Sequence, residues 1–180
     1  DGKTILTYLG SIALTAPDSA GFLKGASLYG GVVDSGMQTG PDVLNLYVGG
    51  TMPTPLTGVL LGLCYDYRGS NSDDTYAGTH VNVYGGYVSW QVTEKLKLNA
   101  RGEYATGTDG TWYVLGSGED NKLLGVTASV DYTLWANVLT RLEFRWDKDM
   151  GSNRIFNDAT ATHIGTDNAF QLVLNAIYKF

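Results

Sequence analysis

The residues that could carry out chemistry are few, and they are spread along the chain. Two histidines, His80 and His163, lie in or beside different predicted loops, and Cys64 is the single cysteine. Nucleophilic catalysis needs a nucleophile and a base within hydrogen-bond reach of each other. Nothing in the spacing brings either histidine to the serines of the strand-like segments, which are Ser27, Ser89 and Ser129. We therefore expect that the protein is not an enzyme.

Acidic and basic residues alternate with apolar ones in the second half of the chain. They include the carboxylates of Asp131, Glu143 and Asp147 and the arginines Arg101, Arg141 and Arg145. Because opposite charges on neighbouring strands attract, we interpret these residues as ion pairs rather than as catalytic acids and bases. Calcium binding by Asp73-Asp74 or Asp167-Asn168 is the alternative for the loops, although no EF-hand spacing is present. We expect neither a metal site nor a cofactor.

The composition excludes several classes of protein. The 12 Lys and Arg against 18 Asp and Glu give a net charge of −6. That balance argues against nucleic acid as a partner, because phosphate-binding proteins concentrate basic residues on one face. No apolar stretch reaches the roughly 18 residues of a membrane helix. The 24 glycines and 12 tyrosines favour strands, tight bends and interfacial aromatic residues over helices.

Alternation of apolar and polar residues with period two is the dominant pattern, and it is typical of strands with two different faces. Leu142, Phe144 and Trp146, for example, alternate with charged residues. The pattern predicts an all-β, antiparallel, up-and-down transmembrane barrel with about nine strands, each long enough to cross a bilayer when tilted. The predicted ranges are 4–15, 22–33, 43–52, 56–67, 80–92, 96–106, 122–134, 138–147 and 169–180.

The predicted connections between these strands alternate in length. The connections at 16–21, 53–55, 93–95 and 135–137 are short, and those at 34–42, 69–79, 107–121 and 148–168 are long. Short periplasmic turns on one rim and longer extracellular loops on the other are typical of a transmembrane barrel. A soluble β-barrel with its apolar faces packed inward is the alternative, but it gives no reason for this order of loops.

The two faces of the strands predict two different environments. The charged face is expected to line a polar lumen through Lys97, Arg101, Glu103, Asp131, Arg141, Glu143, Arg145 and Asp147. The opposite face is expected to contact outer-membrane lipid through residues such as Val126, Leu142 and Leu172. Aromatic residues near the strand ends on that face predict two interfacial girdles. Their members are Tyr65, Tyr67, Trp90, Tyr104, Tyr132, Phe144, Trp146 and Tyr178.

The last residues, Leu-Val-Leu-Asn-Ala-Ile-Tyr-Lys-Phe, resemble the terminal signature of bacterial outer-membrane barrels, in which a final aromatic residue follows apolar residues at alternate positions. Tyr178 and Phe180 carry this likeness. Longer segments resemble the putative β-barrel porins, namely Tyr8–Asp18, Gly25–Val33, Thr57–Tyr67 and Leu96–Tyr104. The resemblance implies recognition of the C-terminal strand by the barrel-assembly machinery, a periplasmic C-terminus and a location in the bacterial outer membrane.

The resemblance and the charged face together predict a porin that passes small hydrophilic solutes or ions by passive diffusion. A structural or interaction barrel that acts through its extracellular loops is the alternative, and an outer-membrane enzyme is a further one. Unpaired arginines in the lumen would favour anions, so charge reversal at Arg141 or Arg145 is expected to shift selectivity towards cations without disturbing assembly. The transported solute and the oligomeric state remain open.

Residues 1–180 are expected to form a single barrel domain that is the C-terminal part of a larger barrel. Bacterial single-chain barrels have an even number of strands, whereas the sequence predicts nine. Two unpaired strand edges in lipid would also cost several kcal/mol for each unsatisfied backbone group. An odd number of further strands is therefore expected upstream of Asp1.

Overall fold

The computed structural model describes residues 6–36, 40–71, 78–109, 111, 120–151, 155–156 and 165–180. Nine β-strands account for most of them. In chain order they are β1 (Thr7–Thr15), β2 (Ser27–Ser35), β3 (Val43–Pro53), β4 (Val59–Ser70), β5 (Thr79–Gln91), β6 (Leu96–Gly107), β7 (Asn121–Trp135), β8 (Val138–Asp149) and β9 (Asn168–Tyr178). A short 3₁₀ segment, Asp18–Leu23, lies between β1 and β2. Within these ranges, no helix is long and apolar enough to cross a membrane.

All nine strands belong to one antiparallel sheet, in which each strand pairs with its neighbours in sequence. Thr127 of β7, for example, lies opposite Arg101 of β6 and Arg145 of β8. One irregularity occurs between Thr133 and Trp135, just before the tight turn into β8. In the described sheet β1 and β9 do not pair with each other, so the nine strands form an open sheet. The predicted antiparallel, up-and-down order is confirmed.

Alternate residues of a strand point to opposite sides of the sheet, and the register aligns them into two chemically different faces. We call the face that carries Leu63, Leu142 and Leu174 the apolar face, and the face that carries Asp131 and Arg141 the polar face. The side chains of the apolar face are uncovered: Leu63 and Leu174 are 73% and 77% exposed. A continuous apolar surface of this kind marks contact with a membrane or with another protein.

The observed strands agree with the predicted ones to within a few residues, apart from the second. The predicted strand 22–33 is wrong at its start, because Phe22 and Leu23 belong to the 3₁₀ segment and β2 begins at Ser27. Gly21 and Gly25, whose φ angles are 63° and 78°, turn the chain on either side of these residues. Residues 4 and 5 of the first predicted strand lie outside the described residues.

The lengths of the connections follow the predicted order in three of the four pairs. The connections 54–58, 92–95 and 136–137 are each shorter than the connection that follows the next strand. The first pair is a correction, because connection 16–26 is longer than connection 36–42. The 3₁₀ segment occupies the additional length, and it is held by backbone hydrogen bonds such as that from the amide of Lys24 to the carbonyl of Gly21, 3.1 Å.

The turn between β3 and β4 depends on one threonine and one glycine. The hydroxyl of Thr54 donates to the carbonyl oxygens of Leu56 and Val59, both at 3.2 Å. The amide of Gln91 in β5 donates to the carbonyl of Gly58 at 2.8 Å. Gly58 has a φ angle of 77°, in the left-handed region that other residues adopt only at a cost. The turn thereby holds the start of β4 against β5.

We expect Gly58→Ala to lower the free energy of unfolding by about 1–2 kcal/mol, because the left-handed backbone is costly for alanine. Its Cβ would also lie 2.7 Å from the carbonyl oxygen of Gln91. Urea titration of the protein in lipid vesicles measures the change. Gly102→Ala is the control, because Gly102 lies on the apolar face of β6 and a Cβ there meets nothing within 4 Å. Equal unfolding midpoints for the two variants would contradict the prediction.

Candidate functional site

The eight charged residues predicted to line a lumen all lie on the polar face, on the adjacent strands β6, β7 and β8. They occupy four successive cross-strand rows. The rows are Lys97, Asp131 and Arg141; then Asn99, Ser129 and Glu143; then Arg101, Thr127 and Arg145; and finally Glu103, Gly125 and Asp147. The structure therefore brings all eight charges into one surface, which we call the charged patch.

One ion pair of the charged patch joins two neighbouring strands through two hydrogen bonds. Asp131 of β7 lies directly opposite Arg141 of β8. Arg141 donates from Nε to Oδ1 of Asp131 at 2.7 Å and from Nη2 to Oδ2 at 2.8 Å. A two-point contact of this kind fixes geometry as well as charge. The side chain of Asp131 is only 9% exposed, whereas that of Arg141 is 35% exposed.

A second group of charges spans all three strands. Arg101 pairs with Glu103 on β6, and Arg145 donates to Asp147 on β8 at 2.7 and 2.8 Å. Arg145 also reaches across β7, where its Nη1 lies 3.8 Å from Oε2 of Glu103. Gly125 makes this reach possible, because it sits between Glu103 and Asp147 in the row and has no side chain. A Cβ at Gly125 would lie 3.0 Å from Oδ1 of Asp147.

The charged patch holds equal numbers of the two charges. Opposite charges pair as expected among the residues just described: Asp131–Arg141 and Glu103–Arg145 join different strands, whereas Arg101–Glu103 and Arg145–Asp147 lie within one strand. Lys97 and Glu143 have no ion pair within 4.0 Å among the described residues, while Asn99 between them donates to Oγ of Ser129 at 3.2 Å. Arg101 is the most exposed arginine of the patch, with 54% of its side chain accessible.

Tyrosines and glycines shape the rest of the polar face. The ring of Tyr87 on β5 lies against Gly62, where a Cβ would be 2.0 Å from the ring carbon Cζ. The ring of Tyr47 on β3 leans over Gly49 in the same way, with its Oη 2.3 Å from the Cβ position. Both rings thus lie along the sheet instead of standing out from it. Glycine is required at Gly62 and Gly49 for this arrangement.

Sequence reasoning missed four polar residues of β3 and β4. Asn45 lies opposite Arg68 and Tyr47 lies opposite Asp66, all on the polar face. Together with Ser11, Gly31, Val81, Val83 and Thr111 they border a recess of about 620 Å³. The signal in the sequence was the alternation of Asp66 and Arg68 with Tyr65 and Tyr67. The predicted fourth strand ended at residue 67, so Arg68 was not included in a predicted strand.

The residues predicted to form aromatic girdles all lie on the apolar face, and Tyr84 joins them. Tyr65 and Tyr84 are in ring contact at 5.1 Å, and the hydroxyl of Tyr65 donates to Asn82 at 2.8 Å. The indole of Trp146 donates to Asn168 at 2.9 Å. Apolar rings with a hydrogen-bonded polar tip suit a membrane interface. Phe144 differs, because it lies near the middle of β8 and contacts Phe170.

The structure does not assemble the other groups considered for chemistry. Ser27 and Ser129 are on the polar face and hydrogen-bond to Thr51 and Asn99, whereas His80 is on the apolar face opposite Gly69. Among the residues that the structure describes, no three His, Cys, Asp or Glu side chains are grouped to hold a metal ion. His163 and Asp73-Asp74 lie outside the described residues.

The fold resembles a solved outer-membrane structure. The chain aligns with OmpT, an outer membrane protein of Vibrio cholerae, with a TM-score of 0.60 and 17% sequence identity. The alignment covers 96% of this chain and 56% of that protein, so the chain spans just over half of its length. At this identity the likeness concerns the fold alone. No curated protein matches the sequence.

An antiparallel meander with an exposed apolar face and a charged opposite face is characteristic of outer-membrane β-barrel proteins. The family described as putative beta-barrel porin-2, OmpL-like, matches residues 4–180, and the chain belongs to that family. The sequence-based identification of the family is confirmed, as is the bacterial outer membrane as its location.

Proposed function

We propose that the protein is a porin, through which small hydrophilic solutes and ions diffuse passively. The observation that carries this proposal is the contrast between the two faces of one sheet. The polar face presents the charged patch, while the apolar face exposes residues such as Leu63 and Leu174. In a barrel whose outside contacts lipid, a charged inner face encloses water. The family of β-barrel porins supports the same function.

Other parts of the proposal concern the surroundings of the barrel. Residues of the apolar face contact outer-membrane lipid, and the aromatic residues at its ends lie at the two interfaces. The C-terminal segment, which consists of β9 with Tyr178 and the two residues that follow it up to Phe180, is the segment that the barrel-assembly machinery recognises, and it ends on the periplasmic side. The short turns 54–58, 92–95 and 136–137 lie on that same side. The protein acts by passage of solutes and not by catalysis.

Conductance in a planar lipid bilayer tests the proposed function, and we expect Arg101→Glu to shift the selectivity of the full-length protein towards cations. Two unit charges changed about 8 Å from a permeating ion in water alter its energy by about 1 kcal/mol. The cation and the anion change in energy by this amount in opposite directions, so the cation-to-anion permeability ratio should rise roughly 30-fold, measured from reversal potentials at low salt, where screening is weakest. Arg101 is suited to this test because it is the most exposed arginine of the charged patch.

Lys95→Glu is the matched control, because it makes the same change of charge in the exposed turn between β5 and β6. Its permeability ratio should stay close to that of the unmodified protein. If the protein inserts into the bilayer but no conductance is measured, the proposed porin function is wrong. That result would favour a barrel that acts through its extracellular loops. Conductance whose selectivity is unchanged by Arg101→Glu would show that the charged patch does not line the conducting path.

A further inference from the structure

The recess on the polar face of β3 and β4 contains two charged side chains that form no ion pair among the described residues. In the charged patch, arginines and carboxylates neutralise one another through ion pairs. Asp66 and Arg68 lie in the recess, and among the described residues neither forms a hydrogen bond or an ion pair. Both side chains are exposed. Arg101 and Glu103 act electrostatically on Asp66, but these two residues are already paired with each other.

The positions of the two charges are fixed by the sheet. Asp66 and Arg68 are two residues apart on one strand, so their Cα atoms are roughly 6–7 Å apart and their side chains point to the same side. Asn45 lies beside Arg68 on β3, and Tyr47 lies beside Asp66. The hydroxyl end of the Tyr47 ring lies over Gly49, and the side chains of Asp66 and Arg68 are both exposed. The recess therefore offers one anion and one cation side by side, with the amide of Asn45 next to them.

Apolar side chains flank these polar groups. Val83 lies opposite Asp66, and Val81, which is 8% exposed, lies opposite Arg68 on β5. On the other side, Val33 of β2 lies opposite Asn45. A solute that fits this surface carries a positive and a negative group close together and a short aliphatic part. A neutral polyol lacks the charges, and a simple ion lacks two of the three features.

We infer that the β3–β4 recess is a binding site for small zwitterionic solutes of the α-amino acid class. Arg68 binds the carboxylate of the solute, Asp66 binds its ammonium group, and the valines of β5 contact its aliphatic side chain. This inference rests on the proposed porin function, and it names the class of solute that passes preferentially. A volume of about 620 Å³ is within the range of small-molecule sites.

Swelling of liposomes that contain the full-length protein tests the inference. L-valine and erythritol have nearly the same molecular mass and no net charge, so size and membrane potential do not distinguish them. The net value of one charge-assisted contact predicts that L-valine enters roughly tenfold faster than erythritol. Asp66→Asn and Arg68→Gln should each remove this preference while leaving the rate of erythritol entry unchanged. The double variant that exchanges the two charges, Asp66→Arg with Arg68→Asp, should keep most of the preference for L-valine over erythritol.

Glu94→Gln is the control for loss of a single charge, because Glu94 is exposed in the turn between β5 and β6. This variant should keep the preference of the unmodified protein for L-valine over erythritol. Equal rates of entry for L-valine and erythritol in the unmodified protein would overturn the inference, while the proposed porin function would still stand. A preference that survives both single substitutions would also overturn it, since the site would then lie elsewhere. If neither solute enters, the proposed porin function fails and the inference fails with it.

Discussion

Leu172→Arg should destabilise the protein in lipid vesicles by about 2–4 kcal/mol, the cost of placing arginine near the bilayer midplane on the lipid side of a barrel. Leu172 lies in the middle of β9 on the apolar face, opposite Phe144, and is 70% exposed. Leu142→Arg, on the same face of the neighbouring strand, should have a similar effect. Denaturant titration of the protein in vesicles, followed by tryptophan fluorescence, gives the free energy of unfolding.

Val173→Arg is a closely matched control. It places the same side chain one residue further along β9, where the register puts it on the polar face opposite Glu143. Glu143 has no ion pair among the described residues, so an arginine at 173 gains a partner, and its cost should be small. Equal losses of stability at 172 and 173 would contradict the assignment of the faces. Full tolerance of arginine at both Leu172 and Leu142 would argue against the membrane-spanning sheet itself.

Arg141→Leu should lower the free energy of unfolding by about 2–3 kcal/mol, because it leaves the nearly buried carboxylate of Asp131 without its two hydrogen bonds. Arg101→Leu is the comparison: its side chain is 54% exposed, and pairs of this kind contribute at most about 1 kcal/mol. Both free energies are measured by the same denaturant titration as above.

The double variant Asp131→Leu with Arg141→Leu separates loss of the pair from loss of the arginine alone. Replacing both charges by apolar groups avoids the unpaired carboxylate, so the double variant should be more stable than Arg141→Leu. A double variant less stable than the single one would show that Asp131 is adequately hydrated without Arg141.

The sequence predicted that reversing the charge of Arg141 would probe ion selectivity without disturbing assembly. The geometry makes Arg101 the better choice, because it is more exposed.

The alternation of residue types along each strand was sufficient to predict which face every residue of the charged patch occupies. In an extended strand the side chains alternate strictly, so Arg141, Glu143 and Arg145 must share a face whatever the strand pairs with. The same rule placed Tyr65, Trp146 and Tyr178 together on the other face. The meander order followed from the short connections, since short turns join neighbouring antiparallel strands. The local sequence pattern was therefore sufficient to predict most of the architecture.

Boundaries were less predictable where backbone conformation depends on hydrogen bonds outside the segment. Phe22 and Leu23 belong to a 3₁₀ segment instead of β2, because the glycines on either side of them turn the chain. The predicted fourth strand stopped at residue 67, just before Arg68, although β4 continues to Ser70 against β3 and β5. Strand ends are set by the partners available on both sides, and a single segment of sequence does not specify them.

The sequence by itself determined the class of protein and the two faces of its sheet, and the tertiary structure decided which groups meet on those faces. Asp131 pairs with Arg141 because the register of β7 and β8 places them opposite each other. Arg145 reaches Glu103 because Gly125 stands between them without a side chain. Register depends on the simultaneous fit of two strands along their whole length, so residues far apart in sequence become neighbours only when the sheet forms.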